Sequence, residues 1–478
     1  MKKSVVAIAS AVVLVGAYAG TTFVVGKQVG QRSQEAWDRL AARTDVVRVV
    51  DRQFKGGFMG SSEHVTLAIG CEPEVVDGVP MGSKPVQIKI RTDYRHGPIA
   101  GGQLALGSAT TQVEEWPLTA QAPLKMLFGD RAPVEVKTVF GFGGKASSTL
   151  TVGAVEFNDP SSHVKTTPLV VSADVDGQGR LHGYRLRWDE VNAKFQGEKA
   201  GELKVSGVDF SATTQPLGTS PWLYGGDGTG VIRQVTFTPQ AGSTAFALND
   251  LKIKSHTGVQ GETLEASTEM SAALKVGEID IERIEAKSGY KGLNLKALDE
   301  VMNIAMKSDL RCKTIKEEDP VKRLAELQAS VGKLLTGKPE FSLDYLKVTH
   351  KGQTGQIAYS LAADGLTADD LQTGAANPMA LMNKLVVAAS LDVPEALVHS
   401  LGEAVAKQIG QPYQKEAVSG SIQQGVVMGM ITNDKGRIKS DISMKKGAVT
   451  VNGKPMPIPG MGAAPAPAMS DAPAAPGQ

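Results

Sequence analysis

Residues 141–147 read Gly-Phe-Gly-Gly-Lys-Ala-Ser, the nearest approach in the chain to a loop that cradles phosphate. Such a loop needs Gly, four residues, then Gly-Lys and a hydroxyl residue, with a helix N-terminus aimed at the anion. Here Ala146 stands where the hydroxyl is needed, and Thr149-Leu150-Thr151-Val152 follows as a strand. The segment therefore reads as a hairpin turn. The seven histidines are His64, His96, His163, His182, His256, His350 and His399. No two have the i, i+4 spacing of a helical metal site, and only His64 lies near a cysteine, Cys71. Ser419-Gly420-Ser421 has no glycine two residues to either side of a serine, so it does not form a hydrolase elbow and reads as a flexible loop. Glu114-Glu115 and Glu317-Glu318 are adjacent pairs. Neighbouring side chains point apart, so these read as solvated charges.

These patterns assign no catalytic, cofactor-binding or metal-binding residue, and a non-catalytic protein is expected. An enzyme would require polar groups from separate strands to converge. Convergence of several of His96, His182, His256 and His350 beside Asp or Glu would signal one. The two cysteines, Cys71 and Cys312, are too far apart in sequence for a CxxC motif. They pair if the fold brings their Cα atoms within about 7 Å, and otherwise remain two thiols.

The elements that must position any site are mostly strands. Gln31 to Phe54 reads as a helix from Trp37, Leu40, Ala41 and Val47, and Gly56-Gly57 then lets the chain turn into a first strand. Trp37 is read as packing on that helix rather than sitting at a membrane interface. From His64 to about Tyr290 the period is two: Val86, Ile88 and Ile90 alternate with Gln87, Lys89 and Arg91, and Leu203-Lys204-Val205 and Val231 to Phe237 continue the theme. Leu295 to Leu335 reads as helical, with Pro320 separating two helices. Strands return at Phe341–Leu361 and Leu385–Val393. Pro394 then opens a helix striped by Leu397, Leu401, Val405 and Ile409. The expected fold is α+β: β-rich antiparallel meander sheets with packed helices, preceded by one N-terminal transmembrane helix.

That helix rests on the first 30 residues. Lys2-Lys3 precede Ser4 to Gly26, which carries no charge, and Lys27 follows. A cleaved signal would use Val5 to Gly16 and an Ala17-Tyr18-Ala19 exit. Phe23-Val24-Val25 extends the apolar run beyond that point, to the roughly 20 residues a membrane span needs, which favours a retained anchor. The basic start stays in the cytoplasm by the positive-inside rule and the bulk of the chain lies outside. The expected divisions are 1–30 membrane anchor or signal segment, 31–60 amphipathic helix and glycine hinge, 61–292 β-rich domain, 293–458 mixed α/β domain with a C-terminal hairpin, and 459–478 disordered Ala/Pro-rich tail. Across all 478 residues the formal charge is only +1, which offers no global field for nucleic acid.

Several segments together resemble the YdgA-like family of bacterial envelope proteins, whose function is unassigned. They are the Lys2-Lys3 start with a span ending in Gly26-Lys27, Phe54-Lys-Gly-Gly-Phe58-Met-Gly-Ser61-Ser62, His96-Gly97-Pro98-Ile99, Gly337-Lys338-Pro339, Met428-Gly429-Met430, and Val451-Asn452-Gly453-Lys454-Pro455. The resemblance implies a single-pass protein of the bacterial inner membrane with its bulk in the periplasm, and supplies no catalytic residues. The helices look too few to cover so many half-apolar strands, so a self-associating scaffold, most simply a homodimer or a complex with another envelope protein, is expected. The alternative is a lipid-handling protein with an apolar β-groove resembling AsmA-like proteins. The expected partners are membrane lipid through the N-terminal helix and no nucleic acid.

Overall fold

The computed structural model describes residues 29–456 apart from 58, 77–78, 82, 98, 101–102, 198–199, 221, 241–243, 310–311, 313–328, 336–337, 368–369 and 371–381. The expected anchor and the Ala/Pro tail lie outside the described residues, as does Pro320. Among the described residues no helix is long and apolar enough to cross a membrane.

The protein is mostly β, a large antiparallel sheet with a few helices. Val47–Lys55, Gly60–Ile69, Val86–His96, Gly107–Glu115, Val134–Phe140, Ala146–Val152 and Leu169–Val175 pair in that spatial order. The same sheet continues through ten further strands: Leu181–Phe195, Gly201–Pro216, Tyr224–Pro239, Phe246–Gln260, Thr263–Val276, Ile279–Asn294, Glu340–His350, Gln353–Ala363, Leu385–Pro394 and Arg437–Lys445. The Ile279–Asn294 to Glu340–His350 pairing carries the sheet across residue 293, where a change of domain is expected from the sequence. Each strand lies beside the one it follows in this order, so tight turns suffice for much of it. Lys351-Gly352 and Lys446-Gly447 make such turns with both residues at positive φ. Asn452-Gly453 does the same and joins two more strands, Ala448–Val451 and Lys454–Met456.

The helices include α1 (Val29–Arg43), α2 (Leu118–Phe128), α3 (Leu295–Asp309), α4 (Glu395–Gln408) and α5 (Lys415–Val427). Two expectations are corrected. The helix expected over 31–54 stops at Arg43, and Val47–Lys55 is a strand paired with Gly60–Ile69. Gly56-Gly57 thus links two strands. Val47 and Val49 share an alternation that suits a strand, and both pack against the core. Ser419-Gly420-Ser421 lies inside α5 rather than in a loop. There the spacing of Val418, Ile422 and Val426, all half-buried, outweighs the local preference of Gly and Ser.

The tightest core lies under α1. Trp37 packs into a cluster with Val65, Leu67, Ile88, Ile90, Val134, Val136 and Leu150. Beside it Glu63 is buried, at 1% exposure. Ser33 donates to its carboxylate at 2.7 Å and the Tyr94 hydroxyl at 2.8 Å, and the Arg52 guanidinium completes the shell. Arg52 also donates to the Gln34 side chain and the Gly30 carbonyl on α1. A buried carboxylate is tolerated when it is both paired and hydrogen-bonded, as here. The network fixes how α1 sits on the sheet.

Cys71 and Cys312 form a disulfide across 241 residues of chain, with Cα atoms 5.4 Å apart. It ties the end of Gly60–Ile69 to the segment after α3. In the chain-entropy account a loop this long gains about 5 kcal/mol from closure.

Burial first, then the facing Glu63 carboxylate, pushes the Tyr94 phenol well above its ordinary value of 10.0. The protonated phenol therefore stabilises the fold fully below pH 10. That contribution fades as pH rises further, because the unfolded chain ionises first. Urea midpoints measured from pH 8 to 11 should fall less steeply for Tyr94→Phe than for the parent. At neutral pH the variant should be about 1–3 kcal/mol less stable, since Glu63 loses a donor. Replacing Cys71 and Cys312 together by serine should cost about 2–5 kcal/mol in the same assay.

Candidate functional site

The long strands place their two kinds of side chain on opposite faces, and the register shows how. Thr263–Val276 alternates without interruption, so Leu264, Ala266, Met270, Ala272, Leu274 and Val276 share a face. Its neighbour does not: the register shifts between Asn249 and Lys252, where Asp250 has φ 50°. That bulge lets Leu248 and Ile253, five residues apart, point the same way through their partners Leu274 and Met270. The three preceding strands carry matching polar doublets, Asp189-Glu190, Ser206-Gly207 and Arg233-Gln234. Gly207 has φ 64°, and a Cβ there would lie 2.5 Å from Arg233 Cγ, so this position requires glycine. Further shifts occur between Ala272 and Leu274 against the next strand and between Leu343 and Leu346. Each corrects the alternation so that aliphatic residues stay on one side.

Carrying the register across gives one apolar face. On it lie Tyr184, Phe195, Val259, Met270, Tyr290, Phe341, Ile357, Tyr359, Leu361 and Ile442, each between 37% and 44% exposed. Large apolar side chains of a folded sheet are normally covered, and a contiguous open patch of them marks an interaction surface. The opposite face is wet. Arg185 pairs with Asp209, Lys287 with Glu269 at 3.0 Å and Lys291 with Glu340 at 3.0 Å. The bond from Arg185 lowers the Asp209 carboxyl, and the bond to Glu269 raises the Lys287 ammonium. Exposed pairs of this kind contribute only about 0–1 kcal/mol each, so they keep one face soluble more than they hold the sheet together.

Helices occupy the two ends. α4 covers one end of the apolar face: Leu397 is buried, and a Cβ on Gly355 would lie 2.8 Å from its Cδ2. Its far end reaches the turns of the long hairpins, where Gln408 donates to Thr244 Oγ1 at 2.7 Å and Lys407 pairs with Glu278 at 2.7 Å. At the opposite end α3 sets Asp299 to accept from the backbone N–H groups of Thr219 and Ser220. Burial works to raise the Asp299 carboxyl, but the bonds from Thr219 and Ser220 outweigh it and lower it.

The residues singled out in the sequence for chemistry do not come together. Gly141-Phe142-Gly143-Gly144 is the turn between Val134–Phe140 and Ala146–Val152. His96 meets Ser61 at 3.2 Å, His182 meets Asp176 at 3.2 Å, His256 meets Asp227 at 2.8 Å, and His350 meets the Asp280 carbonyl. These are four separate places. Among the described residues no three His, Cys, Asp or Glu stand close enough to hold a metal.

One cluster was not legible in the sequence. Ser419 Oγ lies 3.3 Å from His399 Nε2, and His399 Nδ1 lies 2.6 Å from the Tyr413 hydroxyl. Glu395 approaches Nε2 as well, at 3.5 Å. In an acyl-transfer triad the acid holds the ring nitrogen opposite the one that takes the serine proton. Here acid and serine share a nitrogen, so the cluster serves as a tie between α4 and α5.

Fold and site define a mostly β protein built on one long antiparallel sheet with an exposed apolar face. Residues 1–459 match the family described as "Bacterial protein of unknown function (DUF945)", and the chain belongs to that family. No curated protein and no solved structure matches it.

The open face makes a direct prediction. The folded protein should enhance the fluorescence of an apolar dye such as anilinonaphthalene sulfonate. The triple variant Ile357→Lys, Tyr359→Lys, Leu361→Lys should lose most of that signal. Because these side chains already face solvent, it should cost less stability than Leu67→Ala in the core, about 2–5 kcal/mol.

Proposed function

We propose that the chain is a non-catalytic, membrane-anchored protein of the bacterial envelope, of the YdgA-like kind, that shelters lipid acyl chains on the apolar face of its long sheet. The single observation that carries this reading is the set of ten large apolar side chains, all partly exposed and all on one face. An acyl chain laid on that face gains about 0.8 kcal/mol per buried methylene, so roughly ten methylenes supply about 8 kcal/mol before ordering costs. The strands are long enough for this. About fifteen residues span about 50 Å, more than the roughly 30 Å hydrocarbon core of a bilayer.

The disulfide supports a location outside the cytoplasm, because disulfides persist in oxidising compartments. The uncharged run from Ser4 to Gly26 supports anchoring, with Lys2-Lys3 on the cytoplasmic side of the inner membrane and the bulk of the chain in the periplasm.

The second reading is the self-associating scaffold, in which another copy or another envelope protein covers the same face. It rests on the same exposed residues. Against it stands α4, which already sits on one end of the face and would keep a flat partner sheet from lying along its full length.

Native mass spectrometry of the protein extracted in mild detergent separates the two. The lipid reading expects phospholipid retained in fixed ratio through delipidating washes. A lipid-free dimer, or a complex with a second protein, would overturn it in favour of the scaffold.

A further inference from the structure

We infer that the end of the sheet beneath α1 is a membrane-docking rim, built from three loops that press apolar side chains into the lipid interface beside the anchor. The inference rests on the proposal that residues 4–26 lie in the bilayer.

The sheet register aligns one row of strand ends. Gly60 pairs with Arg95, His96 with Gly107, Gly107 with Phe140, Phe140 with Ala146 and Ala146 with Val175. Every one of these pairs is the last of its ladder, so the loops leaving the row all emerge at the same end. Val29, the first residue of α1, is buried in a cluster with Tyr94, Ala109, Phe140, Ala146 and Val175 at this same end. Val29, three residues after the uncharged run of residues 4–26 in sequence, thus enters the fold next to this row.

The loops here carry large apolar side chains that pack on little. Met59 is 77% exposed, Leu104 74% and Phe142 61%. Met59 precedes Gly60 and its carbonyl accepts the His96 N–H. Phe142 tips the hairpin whose two ends, Phe140 and Ala146, hold Val29. Leu104 lines a cavity with Gly141 and Lys145. Three protruding apolar side chains at one end of a soluble sheet are a liability in water and an asset at a lipid surface.

Charge points the same way. Lys55, Arg95 and Lys145 lie at this end and are exposed. Basic side chains close to a bilayer are drawn to anionic headgroups, and apolar side chains beside them enter the interface. The rim thus fits a bilayer that contains anionic phospholipid. Docked there, the folded part would be held at a fixed tilt, not swinging on its anchor.

The test uses the full chain, disulfide intact, in vesicles of phosphatidylcholine and phosphatidylglycerol. Phe142→Trp is compared with the parent, whose four tryptophans set the background. In matched vesicles with brominated acyl chains, the added emission of Phe142→Trp should be blue-shifted and largely quenched. Leu104→Trp should behave alike, which guards against one variant failing to fold. Vesicle flotation is measured alongside. Flotation in which the emission added by both substitutions stays unquenched overturns the rim and leaves anchoring standing. Failure of the chain to float overturns anchoring and the rim with it. Quenching that is unchanged when phosphatidylglycerol is omitted keeps the apolar contact and overturns the role of the basic residues.

Discussion

A sheet with one aliphatic face must have that face covered, because a protein layer is stable in water only when its apolar side is removed from it. In this chain the requirement is met unevenly. Over the strands from Val47 to Val152, α1 lies on the sheet and Leu67, Ile88 and Ile90 are buried to 1% exposure or less. Over the ten strands that follow Leu169–Val175, α4 covers one end and the middle of the face retains side chains such as Phe341 and Tyr359 in contact with solvent. The functional reading depends on this asymmetry. Among the described residues a second layer covers the strands beneath α1 and leaves the middle of the long strands open.

Holding such a sheet together therefore falls to its ladders and a few long-range ties. The meander gives each long strand two neighbours, and the register shift between Asn249 and Lys252 helps keep aliphatic residues on one face without breaking the pairing. Glu63 locks α1 to the first strands through Ser33, Arg52 and Tyr94. The Cys71–Cys312 bridge joins the core-bearing part to the segment after α3, beyond the first six of the long strands. Together these let the open part be anchored firmly at a distance from its own exposed face.

Much of this architecture was legible in residue order. Alternation at Val86–Arg91 and Leu385–Val393 and the helix after Pro394 all appear where the pattern places them. The misreadings have physical causes. Val47 falls at helical spacing from Trp37 and also begins a β-branched alternation, and only its packing against the core decides between them. The contact of Ser419 with His399 arises from the crossing of α4 and α5 and has no local signal at all. The shared apolar face was the least visible feature, since it requires the register of every strand at once.

The central claim is that this face holds lipid. A phospholipid bearing a diazirine on its acyl chain, added to the full-length protein in mild detergent and photolysed, tests it by peptide mapping of the adducts. The account predicts labels concentrated on the apolar face, at residues such as Met270, Tyr290, Ile357 and Ile442. Labels confined to residues 4–26, or spread equally over the wet face around Arg185 and Lys287, would contradict it.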